Sequence, residues 1–77
     1  MNIKDKIDEN IYKVVAINLS KFLNAKAMSL DELSSYADIN KEILKEFISE
    51  KDGSISIYEL YKISIILDIS IEKFFEI

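Results

Sequence analysis

Four charged residues fall into two pairs at helical spacing, Lys41 with Lys45 and Glu42 with Glu46. Carboxylates paired one turn apart suit acid–base catalysis or a Ca2+ or Mg2+ ion, and paired ammonium groups suit phosphate. The remaining composition narrows those options. The 77 residues include no histidine, which removes the usual general base and the commonest imidazole ligand. They include no cysteine, so disulfides and Cys-based zinc sites are excluded. The carboxylates do not follow EF-hand spacing, no nucleophile–base partnership is present, and one glycine cannot build a phosphate-cradling loop. The expectation is a protein that is no enzyme and takes no metal and no cofactor. Binding is the work left to these side chains.

The elements that would position them follow from the apolar pattern. The length suits one domain, residues 1–77, which buries only about 60 % of its unfolded surface and needs an efficient core. Fifteen isoleucines and eight aromatics supply the bulk. No apolar run approaches the ~18 residues of a membrane span, and the start of the chain leads into charges without a secretory signal's apolar stretch. These features predict a cytoplasmic domain with no membrane partner. Ile7, Ile11, Val14, Val15, Leu19, Phe22 and Leu23 recur at three- and four-residue steps and predict a helix over residues 7–26. Residues 1–8 read as an arm that either frays or extends it.

Ser29-Leu30-Asp31-Glu32 is a capping box and opens a short helix that turns Leu33 and either Tyr36 or Ala37 inward. Asp38 tolerates a left-handed helix end, and Asn40 caps the next helix, whose Ile43, Leu44, Phe47 and Ile48 form one apolar stripe. Asp52-Gly53 marks a chain reversal. Ser56-Ile57-Tyr58-Glu59 is a second capping box and starts a helix with Leu60, Ile63, Ile66 and Leu67 on one side. Ser70 caps a last short helix ending in Phe74 and Phe75. Tyr58 and Tyr61 flank the apolar face of the fourth helix, where they line a dimer interface or sit half-buried with wet hydroxyls. The pattern predicts an all-α fold of five helices.

Two short helices joined by a tight turn, residues 30–48, form a helix-turn-helix unit. The residues around it resemble the lambda-repressor-like (Xre-type) helix-turn-helix domains of phage and bacterial regulators. Met28-Ser29-x-x-Glu32-Leu33-Ser34 is similar to the start of the family's first motif helix. Ile39-Asn40 is similar to its turn, and Leu44-x-x-Phe47 to its buried recognition-helix positions. The stretch Ser56-Ile57-x-x-Leu60-x-Lys62-Ile63-Ser64-x-x-Leu67-Asp68-Ile69-Ser70-Ile71-Glu72-x-Phe74-Phe75 resembles its fourth and fifth helices. The resemblance covers about Leu19 to Phe75. It implies a five-helix lambda-repressor-like fold and a small transcriptional regulator of phage, prophage or mobile-element origin, bound to double-stranded DNA as a homodimer.

Carried over position by position, the resemblance implies base-facing roles for Lys41, Glu42 and Glu46 with Lys45 beside them, and Asn40 at the start of the same helix. It implies backbone contacts from Ser29 and from the loop Lys51 to Ser54. The sequence departs from the family at Leu30, where a polar backbone-contacting residue is usual, at Asp38 in place of the turn glycine, and at Glu50 near a glycine position. All ten basic residues are lysine, so the guanidinium fork that reads guanine or phosphate bidentately is missing. Residues 29–52 carry three lysines against seven carboxylates, net −4, and the flanking segments cancel at +2 and −2. Such a unit is repelled by duplex phosphates unless its acids point away. Glu42 and Glu46 therefore admit three readings: acceptors for cytosine N4, a solvated helix face, or a face for a basic protein partner. The second function class left open is a helix-turn-helix fold turned to protein binding, as an antirepressor or regulator subunit.

Overall fold

The computed structural model describes residues 3–50 and 55–76, with side chains for 11–49 and 55–76. Four α-helices follow one another, α1 (Ile3–Ala25), α2 (Leu30–Ala37), α3 (Lys41–Glu50) and α4 (Ile57–Leu67), and a 3-10 helix spans Ile71–Phe75. The expected all-α class holds, with no strand among the described residues. The fifth expected helix is instead this 3-10 segment. With five residues it has room for i→i+3 bonds such as Lys73 N–H to the Ser70 carbonyl at 2.9 Å. Ser70 does not cap it as expected, because its hydroxyl donates to the Glu72 carboxylate at 3.0 Å.

Every helix contributes to one core. Leu19, Leu33, Leu44, Phe47, Ile63, Leu67 and Phe74 are fully enclosed, and Val15, Ala16, Leu23, Ala37, Ile39 and Leu60 surround them. On α2 it is Ala37 that turns inward, while Tyr36 stays exposed. The buried stretch of α1 is Val15 to Leu23; Ile11, on the expected apolar face, is exposed. Helix α1 packs on α3 and the 3-10 helix, and α2 packs on α3 and α4.

A polar side chain fastens this arrangement. Asn18 is buried on α1, and its Nδ2 donates to the carbonyls of Phe74 and Glu76, each at 2.8 Å. An amide buried without partners would be costly, so these two bonds fix where the chain's last turn lies. Phe22 and Phe74 meet beside it edge to face, with ring centroids 5.2 Å apart.

Three junctions are built alike: Ala27-Met28-Ser29, Asp38-Ile39-Asn40 and Asp68-Ile69-Ser70. The first residue of each is left-handed, at φ 54°, 55° and 55°. The second donates its N–H five residues back, Met28 to Leu23, Ile39 to Ser34 and Ile69 to Ser64, closing the preceding helix as a Schellman motif. That second side chain is apolar and packs on or within the core. The third residue stands where the next helix begins.

Candidate nucleic-acid interface

Helix α3 is held by its inner face. Leu44 and Phe47 are buried in the core and Ile48 packs against it, whereas Lys41, Glu42, Lys45, Glu46 and Ser49 are exposed. At about 100° per residue, Lys41 and Lys45 occupy one flank of the outer face and Glu42 and Glu46 the other. Ser49 falls between the flanks and its hydroxyl donates back to the Lys45 carbonyl. The spacing of Ser49, four residues after Lys45, was the signal that it shares this face.

Two helix N-termini meet at the edge of this face. Ser29 Oγ accepts the Glu32 N–H, and Glu32 Oε1 accepts the Ser29 N–H, both at 3.1 Å, so the expected capping box is formed. Asn40 Oδ1 accepts the Glu42 N–H at 2.8 Å and caps α3. The positive ends of both helix dipoles, with their first-turn amides, therefore lie on the side that also carries Lys41.

Electrostatics at that edge are set by a contact with no sequence signature. Lys41 Nζ, on the first residue of α3, lies 2.7 Å from Asp31 Oδ1 in the first turn of α2. The hydrogen bond that Lys41 donates to Asp31, then the charge of that carboxylate, holds the Lys41 ammonium above the usual lysine range, with a smaller pull from Glu42. Ten residues separate the partners, so neither the i+3 nor the i+4 rule finds them. Lys45 makes no ion pair among the described residues. The Asp31–Lys41 contact joins the first turn of α2 to the start of α3, where Asn40, Lys41, Glu42, Lys45 and Glu46 are exposed; Ser29 is exposed at the α2 cap. Lys51 and Ser54, with the Asp52-Gly53 reversal, lie outside the described residues.

Among the described residues no three carboxylates come together as a metal site. A groove of about 220 Å³ opens elsewhere, between α1, α4 and the end of the chain. Its walls are mostly apolar, with Ile11, Val15, Phe47 and Leu60 among them, and carry the hydroxyls of Tyr12 and Ser56. No described helix is long and apolar enough to cross a membrane.

A profile of the Cro/C1-type HTH DNA-binding domain matches residues 18–77. The chain belongs to that family. The matched span contains α2, α3 and α4 entire, with the last part of α1 from residue 18 and the 3-10 helix. This Cro/C1-type domain is similar to the DNA-binding domain of the biofilm master regulator SinR in two solved structures. The crystal structure of SinR in complex with DNA shares 26 % identity and superposes with a TM-score of 0.74, covering 80 % of this chain and 98 % of that one. The N-terminal DNA-binding domain of SinR from Bacillus subtilis shares 25 % identity at a TM-score of 0.76, covering 84 % and 94 %. Comparison with curated protein sequences found no match. The family is one of DNA-binding regulator domains and not of enzymes.

Proposed function

We propose that this Cro/C1-type domain is a cytoplasmic transcriptional regulator that lays the outer face of α3 in the major groove of double-stranded DNA. The observation that carries this reading is the outer face itself, polar, solvent-exposed and backed by the buried Leu44 and Phe47 on a helix-turn-helix scaffold. Lys41, Glu42, Lys45 and Glu46 would meet the groove, Ser29 and Asn40 the flanking phosphates at the helix ends, and Lys51 and Ser54 the adjoining backbone. The DNA bound to SinR in its crystal structure supports the same use of this chain. An origin in a phage, prophage or mobile element rests on the resemblance to phage regulators alone.

Pairing with a second copy is part of this reading. Ile57, Tyr58, Tyr61 and Ile65 project from α4 and are each more than half exposed, a concentration of apolar side chains suited to a symmetric interface. Two copies would present two α3 helices to half-sites about one turn, ~34 Å, apart. Binding of a labelled duplex carrying the chain's own upstream region, followed by fluorescence anisotropy across a salt series, tests the proposal. Lys45→Ala should weaken binding and flatten the log K against log salt slope by about 0.9 per protomer. Absence of salt-sensitive binding to any duplex at low ionic strength refutes it.

One observation favours a second reading. Lys41 is paired with Asp31, while Glu42 and Glu46 are exposed on the same helix, so its charge does not stand alone against these carboxylates. A basic protein partner fits such a face. Glu42→Lys with Glu46→Lys would then release a co-purifying protein and leave the fold intact.

A further inference from the structure

We propose that Asp31 acts as a built-in counter-ion that occupies Lys41 and thereby sets the affinity of this domain for duplex phosphate. The inference rests on the DNA-binding reading and adds a residue whose removal should strengthen binding. Three observations carry it. Asp31 Oδ1 lies 2.7 Å from Lys41 Nζ, the distance at which a charge-assisted hydrogen bond forms. Both side chains remain solvent-exposed, at 48 % for Lys41 and 73 % for Asp31, so a phosphate can reach the same ammonium. Asp31 makes no hydrogen bond in the α2 cap, which is formed by Ser29 and Glu32, so its replacement leaves the capping box in place.

The chemistry is a competition between two anions for one cation. Exposed ion pairs are weak and exchange with solvent, so Asp31 does not lock Lys41 away. It does impose a cost on any phosphate that takes its place, and the displaced carboxylate then stays close to the DNA backbone. Lys45 carries no such partner among the described residues and contributes its full charge. The two lysines of the α3 flank are therefore unequal, although the sequence presents them as a matched pair.

The test is a double-mutant cycle in DNA binding. Wild type, Asp31→Asn, Lys41→Gln and the double variant are titrated against a labelled mixed-sequence duplex from 50 to 200 mM salt, with helicity checked by circular dichroism. Asp31→Asn should tighten binding by about three- to tenfold at the low-salt end and steepen the salt slope by about 0.9 per protomer. In the Lys41→Gln background the same change should gain less than about twofold, because only screened long-range repulsion is left to remove. Equal gains in both backgrounds overturn the proposal, since Asp31 would then act only as a diffuse negative charge. Wild-type binding that Asp31→Asn does not alter also overturns it and leaves the DNA reading standing. If neither wild type nor Asp31→Asn binds any duplex, both ideas fall.

Discussion

Replacing Asn18 with alanine isolates a buried amide that ties α1 to the 3-10 helix. In the folded state its Nδ2 donates to the Phe74 and Glu76 carbonyls at 2.8 Å each, across 56 and 58 residues. A hydrogen bond of this kind contributes about 1 kcal/mol net, and a carbonyl left buried without its donor adds about 1 kcal/mol more. The loss should total about 2–3 kcal/mol. A domain of this size is stable by about 4–12 kcal/mol, so the variant should fold but melt early. Each kcal/mol moves the midpoint of a small domain by about 4–8 °C, which predicts a drop of about 10–20 °C in Tm. Urea and thermal unfolding followed by circular dichroism give both numbers. Asn18→Asp separates bonding from packing, since it preserves the volume but presents a carboxylate to two carbonyls. It should be no more stable than Asn18→Ala. If both variants fall within 0.5 kcal/mol of wild type, the clamp does not hold the 3-10 helix and the reasoning fails.

Two other outcomes are expected besides the salt-slope changes described for Lys45→Ala and Asp31→Asn. Ala27 is left-handed at φ 54° with no side-chain group to offset the strain. Ala27→Gly should therefore raise stability by about 0.5–1 kcal/mol, the relief of strain outweighing the greater entropy of the unfolded glycine, as read from the urea midpoint. If the exposed α4 face pairs two copies, Tyr61→Glu with Ile65→Lys should abolish the dimer in sedimentation equilibrium with the Tm of the monomer unchanged. A dimer that survives these changes must use another surface.

Much of this fold was legible because its signals are local. Both capping boxes, the Asn40 cap and the left-handed Asp38 depend on residues within three or four positions of one another, and all four form as read. The apolar spacing correctly placed Leu44, Phe47, Leu60 and Ile63 in the core. What escaped was decided by contacts distant in sequence. Asn18 reads, like Ser20, as a small polar residue within a helical segment until Phe74 arrives beside it. The choice between Tyr36 and Ala37 depends on how closely α2 approaches its neighbours, which periodicity does not reveal. The last segment carries helix-forming signals but is too short to complete α-helical turns, so the 3-10 form prevails. At the candidate interface, the sequence showed which residues share the outer face of α3 but not that Asp31 claims one of its lysines.

The repeated junctions bear on how quickly the chain can find this structure. In each, three consecutive residues close one helix and aim the next, using bonds that span no more than five residues. The directions of α2, α3 and the final 3-10 turn are thus largely written before distant parts of the chain meet. Local contacts of this kind form in microseconds, whereas closing a long loop must first meet its entropy cost. The slow events left are the docking of α2 with α4 and the meeting of α1 with Phe74 and Glu76. Folding should accordingly resemble the shutting of a hinged chain, with the three junctions as pre-set hinges and Asn18 as the catch.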